Sequence, residues 1–177
     1  MSSTEALEVP RRPIAGTVIA VLVAIGAAGA GAWFVNHPED LPTSDERVTA
    51  STPVGQPVYV GVFSATADLG RTLHLSGVKV HTTSNAQVEV VPLLCHGGTI
   101  GVTADPAAFC ADLVNPEGET FGPGDDIVLE VTSETAGVAV IDRVRLGYRD
   151  GLQVDTQEAG APVVVNILDR AAGTPVP

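Results

Sequence analysis

From Ile14 to Val35 the chain runs for 22 positions without one charged side chain, and Arg11 and Arg12 stand directly before them. No other feature constrains the fold as much. A helix over that stretch would be roughly 33 Å long, enough for the ~30 Å hydrocarbon core of a bilayer. Inside lipid only a helix satisfies its own backbone polar groups, so a single transmembrane helix is expected. Trp33 and Phe34 close the stretch, where aromatic rings favour the headgroup level. Arg11 and Arg12 mark the cytoplasmic side, and Glu39, Asp40, Asp45 and Glu46 follow on the other flank. The expected organisation is a cytoplasmic head (1–13), a transmembrane helix (14–35), a proline-containing polar stalk (36–56), an extracytoplasmic β-domain (57–170) and a loose tail (171–177). The location is then the cytoplasmic membrane, crossed once, with the C-terminal domain outside.

A cleaved signal peptide is the rival reading. Residues 14–25 would serve as its apolar core, and the small residues 26–32 offer sites such as Ala30-Gly31-Ala32. The apolar Trp33-Phe34-Val35 beyond that site argues for retention, as does a head containing Glu5, Glu8, Pro10 and Pro13. Gly16, Ala20, Ala24, Ala28 and Ala32 recur every fourth residue, a small-residue stripe that would let two such helices approach closely. In a segment this rich in Gly and Ala, composition alone also produces such a stripe.

In the head Arg11 and Arg12 balance Glu5 and Glu8, so the whole net charge of −12 lies beyond it. An ectodomain that acidic is repelled by phosphate backbones and extended anionic surfaces, which argues against nucleic acid as a partner. One lysine, Lys79, against eight arginines, with abundant Ala, Gly and Val, is typical of a GC-rich genome.

Beyond residue 57 the apolar period becomes two. Val58, Val60 and Val62 open a strand suited to burial on both faces. Leu73 and Leu75 alternate with polar residues, and after Gly77 the phase moves to Val78 and Val80, the signature of a β-bulge or tight bend. Val88 and Val90 begin a strand that Pro92 places near an edge or a bend. Residues 115–126 are turn-rich, 127–131 alternate again, 138–148 form the longest expected strand, Asp150-Gly151 is a turn, and Val163–Leu168 closes the domain. Six or seven short strands with Gly-, Pro- and Asp-rich turns predict an all-β antiparallel sandwich.

The turn Gly122-Pro123-Gly124-Asp125-Asp126 leading into Ile127 resembles the strand entry of many bacterial immunoglobulin-like domains. Residues 141–160 (IDRVRLGYRDGLQVDTQEAG), with the spaced cysteine pair, resemble the C-terminal part of uncharacterised actinobacterial single-span membrane proteins. That resemblance implies a membrane anchor followed by an exported immunoglobulin-like sandwich. It brings no known activity and no binding residues.

Cys95 and Cys110 are the only cysteines, and exported thiols usually pair, so a disulfide is expected. Two buried free thiols is the alternative. A metal site would lack a fourth ligand. The histidines are His37 in the stalk, His74 and His81 on either side of the bulge, and His96 after Cys95. Adjacent strand residues point to opposite faces, so Cys95 and His96 make a poor catalytic dyad. There is no nucleophile elbow, zinc-protease motif or phosphate-cradling glycine loop. Glu117, Glu119, Asp125 and Asp126 could hold Ca²⁺, but the ligand spacing of a calcium loop is missing and a solvated turn reads better. Asp142, Arg143, Arg145, Arg149 and Asp150 read as an exposed strand face with cross-strand ion pairs. No catalytic, cofactor or metal residues are expected. The expected function is a non-enzymatic binding domain or accessory subunit of an envelope complex. A secreted binding protein, a hydrolase and a metal protein are the alternatives.

Overall fold

A computed structural model describes residues 14–35 and 38–169. The head, His37 and the tail 171–177 lie outside the described residues. The chain divides into two units, Met1–His37 and Pro38–Pro177.

In the first unit, α1 covers Ile14–Val35, with no acidic residue in its first turn and no basic one in its last. Its described side chains are those of residues 22–33, about 18 Å of helix axis at 1.5 Å per residue. Gly16 and Ala20 of the small-residue stripe fall outside that set, whereas Ala24, Ala28 and Ala32 are exposed. Among the described residues no helix is long and apolar enough to cross a membrane.

The second unit is all-β. Its strands are β1 (Val48–Pro53), β2 (Val58–Ser64), β3 (Leu73–Lys79), β4 (Thr82–Ser84), β5 (Val88–His96), β6 (Val102–Thr103), β7 (Asp112–Val114), β8 (Thr120–Phe121), β9 (Asp126–Ser133), β10 (Gly137–Ile141), β11 (Val144–Asp150), β12 (Gln153–Ala159) and β13 (Val163–Leu168). They form sheets ordered β1-β13-β10-β4, β12-β11-β3-β8 and β6-β2-β9-β5-β7. Only β1 and β13 run parallel among these pairs.

The first two sheets are halves of one bent layer. In each, the same three chain segments lie side by side in the same order: β12/β13, β10/β11 and β3/β4. Each segment breaks at the same level, at Val80-His81, Asp142-Arg143 and Gly160-Ala161-Pro162. The break at Gly160 has a steric cause. Its φ is +71°, and a Cβ there would lie 2.0 Å from the Val62 carbonyl oxygen. A second irregularity sits at Gly77, where the β11–β3 ladder slips by one residue between Gly147 and Tyr148. This is the bulge that the phase change at Gly77 predicts.

Alternation along the strands sends one set of side chains from all three sheets into a single core, including Val60, Leu73, Leu94, Phe121, Leu129, Ile141, Leu146, Tyr148 and Val165. Phe63 and Phe121 pack with ring centroids 5.3 Å apart.

Three expectations need correction. The polar segment 36–56 is not a free stalk from Pro38 onward, because Leu41 is buried and β1 joins the sheet against β13. It reads as linker because β1, an edge strand, buries only Ala50 and Thr52. The continuous strand 138–148 is two strands, broken where Asp142 and Arg143 turn the chain. The six or seven expected strands number thirteen in the described residues, since the bend splits three of them and the long connections add short ones.

Candidate functional site

The five-stranded sheet is covered by its own chain on the part of its outer face around Cys95 and Val128, while Glu89 and Val91 farther along β5 stay exposed. After β5 the polypeptide crosses β9 to pair as β6 with the far edge of β2, then returns to pair as β7 beside β5. Beneath this strap, Cys95, Ile100 and Val128 form a second small core with Tyr59, Cys110 and Leu113 against it. Cys95 and Cys110 are disulfide-bonded, with Cα atoms 5.3 Å apart, and pin the returning limb to β5. Close approach depends on two glycines. A Cβ on Gly61 would lie 1.8 Å from the Ile100 carbonyl oxygen, and one on Gly98 would lie 1.7 Å from that of Phe109.

Asp126 is the buried charge of this region. Its Oδ2 accepts the Ile100 N–H at 2.8 Å and its Oδ1 accepts the Ser64 hydroxyl at 3.0 Å. Burial pushes its carboxyl up to about 6, against the opposing pull of those two hydrogen bonds. The reading of 117–126 as a solvated turn therefore fails at Asp126, which is fully enclosed under the strap. Among the described residues no group of three or more His, Cys, Asp or Glu side chains is placed to hold a metal ion.

His96 lies between two carboxylates, with Nδ1 3.1 Å from Asp125 Oδ1 and Nε2 3.8 Å from Glu119 Oε2. The same Asp125 oxygen accepts the Gly97 N–H at 3.2 Å, and Asp125 Oδ2 accepts the Gly122 N–H at 3.0 Å. The acidic cluster thus serves to tie the strap's first turn to the turn before β9. Neighbouring Cys95 faces the other way, into the disulfide, so His96 activates no thiol. His74 and His81 stand apart: His74 on β3 opposite Arg149, and His81 at the bend, 4.0 Å from Asp142.

Arg71 holds the entry to the domain. It donates to the Glu39 carbonyl at 2.7 Å and pairs with Asp150 at 3.5 Å. The Tyr148 hydroxyl and Arg71 Nε are buried there without a hydrogen-bond partner among the described residues. Burial raises the Tyr148 phenol above its ordinary pKa, while nearby Arg71 acts in the opposite sense.

The basic residues of β10–β12 divide into two groups. Arg143, at the bend, pairs with Asp45 and reaches Glu158 at 4.0 Å. Arg145 and Arg149 have no ion-pair partner among the described residues, and neither has Lys79. The expected cross-strand ion pairs are therefore absent at Arg145 and Arg149. The register puts Arg145 between Lys79 on β3 and Glu158 on β12, and Arg149 between His74 and Val154. The signal within reach was the spacing Arg145-Leu-Gly-Tyr-Arg149, which places both guanidinium groups on one strand face around a glycine.

No protein-family model and no curated protein matches this chain.

Proposed function

We propose that this protein is a membrane-anchored, extracytoplasmic immunoglobulin-like domain that works by binding, as a recognition module or as an accessory subunit of an envelope complex. The observation that carries the export is the Cys95–Cys110 disulfide, because such a bond persists in an oxidising compartment. The uncharged stretch from Ile14 to Val35 behind Arg11 and Arg12 supports retention of the helix and the orientation with its N-terminus inside. The resemblance of residues 141–160 to actinobacterial single-span proteins points the same way.

Strand order supports the immunoglobulin-like reading. Taken as strands A to G, the chain gives β1, β2, β3/β4, β5, β9, β10/β11 and β12/β13. One layer then reads B-E-D and the other A-G-F-C, with A parallel to G. The strap is then an insertion between D and E. The disulfide lies within that insertion and not between B and F, a departure from antibody domains.

Binding is favoured over catalysis because the three described histidines are dispersed, and the one with close carboxylate partners, His96, faces no nucleophile. Fractionation tests the anchor. The expected result is a chain that stays with membranes through high-salt and alkaline washing. A soluble mature chain beginning near Trp33 would replace this reading with a secreted binding protein.

A further inference from the structure

Across β3, β11 and β12 the outward residues form three rows. Lys79, Arg145 and Glu158 make the first; Gly77, Gly147 and Thr156 the second; His74, Arg149 and Val154 the third. The middle row has almost no side chains, because Gly77 and Gly147 pair directly at the bulge. This leaves a concavity of about 260 Å³ lined by Ser76, Gly77, Val78, Lys79, Gly147 and Thr156. A Cβ on Gly147 would lie 2.7 Å from Ser76 Oγ and 3.6 Å from Thr156 Oγ1, so both hydroxyls border its floor.

From this arrangement we infer that the concavity binds a compact phosphate-bearing ligand, held by Lys79, Arg145 and Arg149 over the Ser76 and Thr156 hydroxyls. Guanidinium and ammonium groups with hydroxyl donors suit a tetrahedral oxyanion that accepts hydrogen bonds on several sides. No aromatic side chain lines the floor, which leaves nothing for a sugar ring or base to stack on. Arg145 and Arg149 stand in the rows on either side of Gly147, about 13 Å apart along the strand, and flank the lining of the concavity. Glu158, the only carboxylate in the three rows, is drawn toward Arg143 at 4.0 Å.

The chain's net charge of −12 selects the size of the ligand. An extended polyanion or an anionic bilayer surface meets the repulsion of the whole domain. A compact ester feels chiefly the cations within a Debye length, about 8 Å at physiological salt.

This inference rests on the binding-domain reading and names its ligand class. The test is calorimetric titration of the full chain in neutral detergent with inorganic phosphate, with glycerol 3-phosphate and with phosphatidylglycerol vesicles. The expected result is saturable binding of a soluble phosphate at moderate salt. It should weaken at least tenfold in R145Q/R149Q and stay unchanged in R47Q, whose exposed guanidinium lies outside the three rows. Retention of the disulfide and of the β-sheet circular dichroism verifies folding of each variant. Absence of soluble-phosphate binding by the folded wild type overturns the inference. So does equal loss in R47Q, which would mean general charge attraction, or binding to vesicles alone, which would mean a lipid surface. Membrane fractionation of R145Q/R149Q is read separately, so failure of the ligand leaves the anchored reading standing and failure of the anchor leaves the titration interpretable.

Discussion

The two layers of the sandwich use the same strand grammar and end with opposite outer faces. In the five-stranded layer, β9 is buried almost throughout, because its inward residues Ile127, Leu129 and Val131 face the main core and Val128 lies under the strap. In the bent layer, β11 buries Val144, Leu146 and Tyr148 but leaves Arg145 and Arg149 in solvent. The inward faces do not explain the difference, since both strands send alternate apolar residues into the core. It comes from the connection between β5 and β9, long enough to fold over one sheet and pinned there by a disulfide and by Asp126. A covered layer is a structural element, whereas an open one can present side chains to a partner.

The largest expected effect tests how tightly the cover is seated. Gly61→Ala drives a methyl group into the Ile100 backbone carbonyl, which has to move with the whole strap. A loss of more than about 4 kcal/mol, or failure to fold, is expected by denaturant unfolding. The matched change on the open layer, Gly147→Ala, meets only the Ser76 hydroxyl, a side-chain atom that can rotate away. It should cost less than about 1 kcal/mol. Equal losses would mean that the strap is no more rigid than an open face.

Next in size is the disulfide. Replacing Cys95 and Cys110 together by serine releases a loop closed across a sequence separation of 15 residues. The chain-entropy account gives about 3 kcal/mol, a large share of a domain stability of roughly 5–15 kcal/mol. The melting temperature should fall accordingly, and the Val128 surface should become accessible to a hydrophobic dye. Free-thiol labelling of the denatured, unreduced wild type should find no reactive thiol.

What could be read without coordinates follows from how local each feature is. The closing strand Val163–Leu168 and the bulge at Gly77 are carried by period and phase, and both occur as expected. The pairing of Cys95 with Cys110 needs only two cysteines and a compartment. The covered face was not legible, because Ile100 and Asp126 meet through a strap whose course is set by distant partners. Asp126 stands in a Gly-Pro-Gly-Asp-Asp turn, and nothing local distinguishes it from Asp125, which is half-buried and tied to His96, Gly97 and Gly122. The basic face was misread for the same reason. Arg145 and Arg149 lie near acidic residues in sequence, yet the register brings Lys79 and His74 to them from β3, and Glu158, opposite Arg145 on β12, lies within 4.0 Å of Arg143. β1 was missed because an edge strand with two inward residues has too weak a period.

Asp126 gives the covered layer a pH signature. Its folded pKa, about 6, is raised above the ordinary 3.8. Between those values the folded state holds a proton that the unfolded state has lost, so stability is greatest near pH 4 on this account and declines as pH rises to 6. The shift corresponds to about 3 kcal/mol, as an order of magnitude. Above pH 6 the contribution is flat. Asp126→Asn keeps an acceptor for the Ile100 N–H and carries no charge, so it should flatten that slope and leave stability at pH 7 no lower than wild type. A slope that survives the substitution would assign the pH dependence to other groups.

The smallest effect is the finest test, because it puts the same atom change on the two outer faces. Val140 on β10 is 38% exposed and Val128 on β9 is fully buried under the strap, yet both are outward residues of a sheet. Valine to threonine keeps the branched shape and exchanges a methyl group for a hydroxyl. At Val140 the hydroxyl is solvated, and a change within about 0.5 kcal/mol is expected. At Val128 it enters a cluster made by Cys95 and Ile100, where a polar group without a partner costs about 1–3 kcal/mol. Denaturant midpoints of the two variants measure the difference directly. If Val128→Thr proved as mild as Val140→Thr, water would already reach beneath the strap, and the two faces would differ in geometry without differing in burial energy.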